Sequence, residues 1–563
     1  MIGRRPCPTA RLAAAVLGGW LVSGCAGGPE VGGESQETPL RATRGYVLIS
    51  LDALRADHLG CYGYERDTTP FLDRLAARST RFRWSAVQYP STVLSHMSMF
   101  TGLYPDQHAV FPPTGVLSPE IPSLAERFRA AGFKTSGHTE AGYMTRKFGF
   151  DRGFDDYSET FFGAERGMPQ TFARGVRFLE GLGEDEPFFL FLHTYSIHDP
   201  YNPEEPYRSM FLPEGAPVPV LPATGESFRD VNLGRATVGP EDVDYFAALY
   251  DGLIRFADGV VESFFTDLER LGLADDTTVV ITSDHGEEFF EHGRLAHTQV
   301  YPHTLFVPLI VSHPDQAEGA TVEHLVQTVD IAPTLIELAR LERPVVVAGR
   351  SLVPYLEDAG SEALVDEAYG ESLFEGVAQW TLVEKRGDQV LQLVLSGPAR
   401  EPKGVWVSES LTFESWSSEL SFRALSFLEE RVITVTVDGE ELGTFELGED
   451  WSSHRLPLGT GECGPCRVTL TADRECRRPV DAGVNQDTRC LGFRIDGGRI
   501  GEVELFDLGI DPQATANLAR ARPDDVRRLL ARMAEYRWEP VATPGSSPLT
   551  EEERRALEAL GYL

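Results

Sequence analysis

The stretch Tyr46-Val47-Leu48-Ile49-Ser50-Leu51 is an almost unbroken apolar run that ends at Asp52. A strand that is apolar on both faces has to be covered on both, which is the situation of a strand inside a parallel sheet. The pattern recurs. Phe188-Phe189-Leu190-Phe191-Leu192 ends at His193, and Val279-Val280-Ile281-Thr282 ends at Ser283-Asp284-His285. Leu309-Ile310-Val311 is a fourth such run, and amphipathic stretches lie between them. Ser123-Leu124-Ala125-Glu126 reads as a capping box, with Phe128 and Ala131 on one face and Gly132 as the stop. Tyr245 to Leu271 is a second helical pattern. The alternation predicts an α/β sandwich, in which ligands collect at the carboxyl ends of the strands. Here those ends carry polar, metal-binding side chains.

After about residue 404 the texture changes. Arg431 to Val437 alternates and is followed by the hairpin turn Asp438-Gly439; Leu442 to Leu447, Val468 to Thr471 and Leu491 to Ile495 continue as short strands. Glu504-Leu505-Phe506-Asp507-Leu508 then resumes a different pattern, so residues 404–500 are expected to form an inserted β-sandwich. The expected organisation is a catalytic domain over 45–360 and a smaller subdomain from 361–403 and 501–540. A linker and short helical tail follow over 541–563.

The N-terminus predicts export. Arg4, Arg5 and Arg11 precede an apolar run from Leu12 to Val22 that is too short to span a bilayer but suits a signal peptide over residues 1–24. Leu21-Val22-Ser23-Gly24-Cys25 resembles a bacterial lipobox, which implies a lipidated Cys25 anchored to a membrane, periplasmic or cell-surface. Residues 25–44 then read as a flexible tether. Of seven cysteines, Cys463, Cys466, Cys476 and Cys490 cluster late. In an oxidising compartment they are expected to form two disulfides in one of three pairings, with a zinc site as the rival. The 563 residues, 42% hydrophobic, are globular in composition, and a net charge of −35 excludes nucleic acid as a partner. An anionic substrate must therefore meet a locally positive site, most simply a metal ion with histidines.

Three separated segments carry the chemistry. Asp52, Asp284 and His285 close two strands and offer a borderline-hard donor set for one divalent cation. Thr92 precedes Val93, Met97 and Phe100 at helical spacing, with Gly102 as a stop, and so falls at a helix N-terminus. A hydroxyl there that also touches a cation becomes a nucleophile.

Taken together the motifs resemble the sulfatase branch of the alkaline phosphatase superfamily. The matching stretches are Leu51-Asp52 through Tyr62-Gly63, Thr92 through Thr101-Gly102-Leu103-Tyr104-Pro105, Ser283-Asp284-His285-Gly286-Glu287, Asp330-Ile331-Ala332-Pro333-Thr334 and Leu505-Phe506-Asp507-Leu508. The resemblance implies a central mixed, mainly parallel sheet flanked by helices and a hydrolase of sulfate or phosphate esters. It implies that Asp52, Asp284 and His285 bind one divalent ion (Mn, Ca, Mg or Zn) and that Thr92 fills the nucleophile slot. His96 falls where sulfatases carry an arginine, His198 matches a histidine at the leaving group, and His297 replaces a lysine beside the ester oxygens. His58, His138 and His292 are left as structural residues.

Where sulfatases use Cys-x-Pro-x-Arg, this chain has Thr92-Val93-Leu94-Ser95-His96, and Ala53 replaces the second aspartate of the usual pair. No thiol is present to become formylglycine, so a threonine ester must be opened by water, which leans toward phosphorus. The implied substrate is an anionic ester of a sulfated or phosphorylated glycan, lipid or small molecule. A phosphodiesterase or phosphonate monoester hydrolase, a head-group phosphotransferase and a non-catalytic glycan-binding lipoprotein are the alternatives.

Overall fold

Strand β1 (Gly45–Leu51) is buried along its whole length. Its side chains alternate between two cores. Tyr46 and Leu48 join Phe189, Phe191 and, from the helix Thr92–Thr101, Val93, Met97 and Phe100. Val47, Ile49 and Leu51 join Leu190, Leu192 and the long helix Pro240–Arg270 through Leu253, Ile254 and Phe264 on the opposite face. The computed structural model describes residues 39–160, 167–316, 318–342, 346–364, 367–374, 377–398, 405–415, 419–450, 452–457, 466–477, 493–496, 502–536, 540–551 and 554–555.

The sheet around β1 contains β2 (Thr80–Ala86), β3 (Lys134–Thr139), β4 (Asp156–Glu159), β5 (Phe188–Thr194), β6 (Thr277–Thr282), β7 (Leu309–Ser312) and β8 (Ala320–Gln327). Its order is β8-β2-β7-β6-β1-β5-β3-β4. Only β7 runs antiparallel to its neighbours β2 and β6; the other pairs are parallel. The result is an α/β fold with a mixed, mainly parallel sheet flanked by helices. Ser50 of β1 lies level with His193 of β5 on one side and Thr282 of β6 on the other. That register brings Asp52, His193 and Asp284 to one edge, the carboxyl ends of three adjacent strands.

A separate antiparallel sheet is built from Glu367–Phe374, Val377–Arg386, Gln389–Pro398 and Glu502–Asp507, with the helix Pro523–Met533 packed on its core. Between its third and fourth strands the chain forms two four-stranded antiparallel sheets that share a core of Val407, Ala424, Ile433, Val435, Leu447, Cys466, Val468 and Leu470. The hairpin Arg431–Val437/Glu440–Leu447 turns at Asp438 and Gly439, both at positive φ.

Three expectations are corrected. The tether does not extend to residue 44, because the Arg41 guanidinium holds Asp315 at 2.9 Å and also pairs with Asp276. Cys466 is a buried free thiol, so the four late cysteines do not form two disulfides. Cys476 is disulfide-bonded, while Cys463 and Cys490 lie outside the described residues, as do the signal peptide and Cys25. The stretch read as a C-terminal linker is tied down: Gly545–Ser546 pairs with Gly115–Val116, and Val541 N–H donates to Gln107 O at 2.9 Å. Among the described residues no helix is long and apolar enough to cross a membrane.

The histidines left as structural are held in place. His138 bridges Ser136 and Ser158, His58 meets Asp251 at 2.7 Å, and His292 stacks on Tyr301 at 3.6 Å. Burial pushes His138 down to about 4 and His108 down to about 3. Unfolding frees both to protonate near their ordinary value of about 6.5. The unfolded chain therefore binds the extra protons below that value, and stability falls as pH drops from about 6.5 through 4 and 3. The two together are expected to remove about 3 kcal/mol per pH unit between about 6.5 and 4, His108 alone about half that from 4 to 3, and neither anything above 6.5. Urea unfolding at pH 7 and pH 5 checks this, and His138→Asn should lessen the slope.

Candidate active site

The helix Thr92–Thr101 opens at Thr92, after Ser91 in extended backbone, and stops at Gly102 in the left-handed region. Its first helical bond runs from Ser95 N–H to Ser91 O, so the amides of residues 92–94 precede the ladder, at the end of a helix that favours negative charge. Thr92 is fully buried, and its hydroxyl donates to Asp52 Oδ2 at 3.4 Å. The N-terminus of this helix thus faces the carboxyl end of β1.

Asp52, Asp284 and His285 meet there, all fully buried, with one donor atom from each inside 4.8 Å of the others. His285 Nε2 stands 3.4 Å from Asp284 Oδ2 and 3.7 Å from Asp52 Oδ1. The His285 Nδ1–H donates to Gly286 O at 2.9 Å, which leaves the Nε2 lone pair facing the acids. Asp52 Oδ1, Asp284 Oδ2 and His285 Nε2 are each buried without a hydrogen-bond partner. Two carboxylates and an imidazole lone pair, orphaned and converging, fit a divalent cation and are costly without one. Burial and the neighbouring Asp284 push the Asp52 carboxyl well above its ordinary range, and burial pushes His285 down to about 3. Gly286 allows this packing, because a Cβ there would stand 1.8 Å from His303 O.

His96 converges with His193 and Asp284 in a second group of buried donors, its Nδ1 3.5 Å from Asp284 Oδ2. Its Nδ1 lies 2.8 Å from Thr92 O, a carbonyl that only accepts, so Nδ1 carries the proton and Nε2 accepts from Ser50 Oγ at 2.8 Å. Both ring nitrogens are hydrogen-bonded, and the residue ties the first turn of the Thr92–Thr101 helix to β1. His198 and His297 line the mouth, with ring centroids 5.0 Å apart. His297 stacks on His285 at 4.1 Å and meets Glu287 Oε1 through Nδ1 at 3.2 Å; burial pushes it down to about 3. His198 Nδ1–H donates to Asp199 O at 2.8 Å and stands 3.4 Å from Asp199 Oδ2. A cleft of about 450 Å³ opens beside this centre, lined by Ser91, Leu94, Tyr143, His198 and His297, with Arg229 on its wall.

Two participants were not singled out from the sequence. His193 Nε2–H donates to Asp52 Oδ2 at 3.0 Å and so turns Oδ1 toward the other donors. Glu287 is fully buried beside His297 with Oε2 lacking a partner. The available signal for His193 was its position: a titratable residue at the end of an apolar strand, as with Asp52 and Asp284.

The family description "Sulfatase" matches residues 44–341. The multifunctional alkaline phosphatase superfamily protein PehA of Trinickia caryophylli is 24% identical over 395 residues, covering 55% of this chain and 77% of that protein. The arylsulfatase of Clostridium perfringens is 24% identical over 403 residues, covering 60% and 84%. The crystal structure of the phosphonate monoester hydrolase of Agrobacterium radiobacter shares the fold at a TM-score of 0.51 and 20% identity, covering 63% of this chain and 89% of that one. The chain belongs to the sulfatase family, within the alkaline phosphatase superfamily, and is an ester-hydrolysing enzyme.

Proposed function

We propose that the chain is a metal-dependent hydrolase of sulfate or phosphate esters that uses Thr92 as its nucleophile and leans toward phosphorus. The observation that carries this reading is the Thr92 hydroxyl at a helix N-terminus, directed at Asp52 beside three orphaned donors. Asp52, Asp284 and His285 would hold one divalent cation. When bound, it would offset the two buried carboxylates and favour the ionised form of Thr92. Thr92 Oγ1 then bonds to phosphorus or sulfur as the bond to the leaving oxygen breaks. That oxygen takes its proton from His198, whose ring Asp199 supports, with His297 as hydrogen-bond partner to the ester oxygens. Water next attacks the Thr92 ester, gives up its proton to His198 and releases the Thr92 oxygen in its ionised form. The helix N-terminus and the imidazoles offset charge on the equatorial oxygens.

A formylglycine hydrate expels sulfate by collapsing to an aldehyde, which threonine cannot do. This favours phosphorus, in keeping with relatives named for multifunctional and phosphonate ester chemistry. Aryl sulfate, phosphate monoester, phosphodiester and phosphonate monoester substrates, each run with Mn, Ca, Mg and Zn, test it. The expected result is that kcat/KM for the diester or phosphonate exceeds that for the aryl sulfate by at least tenfold. Turnover of sulfate alone would reverse the preference, and no turnover with any metal would end the reading. We further propose export and anchoring through a lipidated Cys25; Cys25→Ser should move the protein from the membrane to the soluble fraction.

A further inference from the structure

His198 and Asp199 form a wall shared by two clefts. One is the 450 Å³ opening described above; the other, about 600 Å³, lies between Tyr195, Tyr207, Phe256, Glu204, Glu205 and Asp199. The second cleft belongs to the reacting centre, because the Tyr195 hydroxyl is within hydrogen-bond reach of Thr92 and accepts from Tyr143 N–H at 3.0 Å. Its chemistry is the reverse of what an anionic ester requires. Carboxylates and aromatic rings line it, Glu140 among them, and among the described residues no lysine or arginine does. Tyr207 and Phe256 meet edge to face at 5.5 Å.

Asp199 points to a ligand rather than to a merely acidic surface. It is 3% exposed, and its Oδ1 has no hydrogen-bond partner. Burial pushes this carboxyl up to about 6, against the opposing effect of His198, which stands beside its other oxygen. A metal ion is not what is missing: among the described residues these carboxylates are not close enough to one another to form a metal-binding group. What fits spaced carboxylates and ring faces is a bulkier, weakly hydrated organic cation.

We infer that the second cleft receives an ammonium-bearing part of the substrate, with Asp199 as its anionic partner and Tyr207 and Phe256 as its aromatic wall. The inference extends the ester-hydrolase reading and names a substrate class for it. Two sources supply such a group: a choline-like substituent of a phosphodiester, or the free amine of an amino sugar ester.

Binding to the metal-loaded protein, measured by calorimetry, tests this independently of turnover. The probes are choline against the neutral isostere 3,3-dimethyl-1-butanol, and glucosamine against N-acetylglucosamine. At least one cation should bind at least tenfold more tightly than its neutral counterpart, and the pair that shows the difference identifies the source. Asp199→Asn should reduce the difference to less than threefold. The exposed double variant Glu204→Gln/Glu205→Gln, whose folding does not depend on a buried carboxylate, should weaken it. Equal binding within both pairs, or a preference that survives both variants, overturns the inference. Preference for a cation by a protein that hydrolyses none of the four ester classes would instead count against the catalytic reading alone.

Discussion

Thr92→Ala is expected to abolish turnover while leaving metal binding intact. In the proposed reaction the hydroxyl supplies the atom that bonds to the reacting centre, and nothing on alanine replaces it. A loss of at least 10³-fold in kcat is expected, about 4 kcal/mol of transition-state stabilisation. Folding should change by far less, since the substitution removes a hydroxyl and a methyl and leaves the helix intact. Thr92→Ser should retain measurable activity. Steady-state kinetics together with metal analysis of the same samples separate the roles, because loss of metal alongside activity would make Thr92 a structural support of the cation. Full activity in Thr92→Ala would move the nucleophile to Ser91 or to Ser95, whose Oγ is buried without a partner.

Asp52→Asn should invert the stability order of the protein with and without metal. In the presence of a chelator two adjacent buried carboxylates repel each other and lack hydrogen bonds at Asp52 Oδ1 and Asp284 Oδ2. An amide removes one charge, so the variant should be the more stable of the two under chelation. With metal present the order reverses. A ligand held at 100 times its dissociation constant adds about 2.7 kcal/mol to the wild type, and the variant, short of a charged donor, forfeits most of this. Thermal unfolding of both proteins in chelator and in excess metal gives four midpoints. Parallel shifts in the two proteins would mean that the cation binds elsewhere.

The sequence marks the site well where one residue carries its own signal. Asp52 and Asp284 stand directly after apolar runs, and Thr92 is bracketed by a helical pattern and a glycine stop. His193 follows an apolar run just as clearly. Its meaning depends on β5 lying next to β1, however, and neither strand records which neighbour the crossovers will give it. Glu287 was hidden for another reason: it sits inside a motif already used for Asp284 and His285, while its partner His297 reaches it from across a short hairpin. The second cleft was the least legible. It joins Glu204, Glu205 and Tyr207 to Phe256 of the long helix, and only the folded chain sets these side by side. The β region was legible as alternating strands, whereas the fate of its cysteines was not, since Cys466 points into the core as a plain small apolar group.

The two carboxylate-bearing strand ends belong to β1 and β6, which touch only after β5 and the long helix have been laid down between them in the chain. A nascent polypeptide therefore owns no chelating pocket until nearly three hundred residues have emerged and paired. Capture of the ion has to wait for β1 to pair with β6, so the medium in which that pairing is completed selects the element that is trapped.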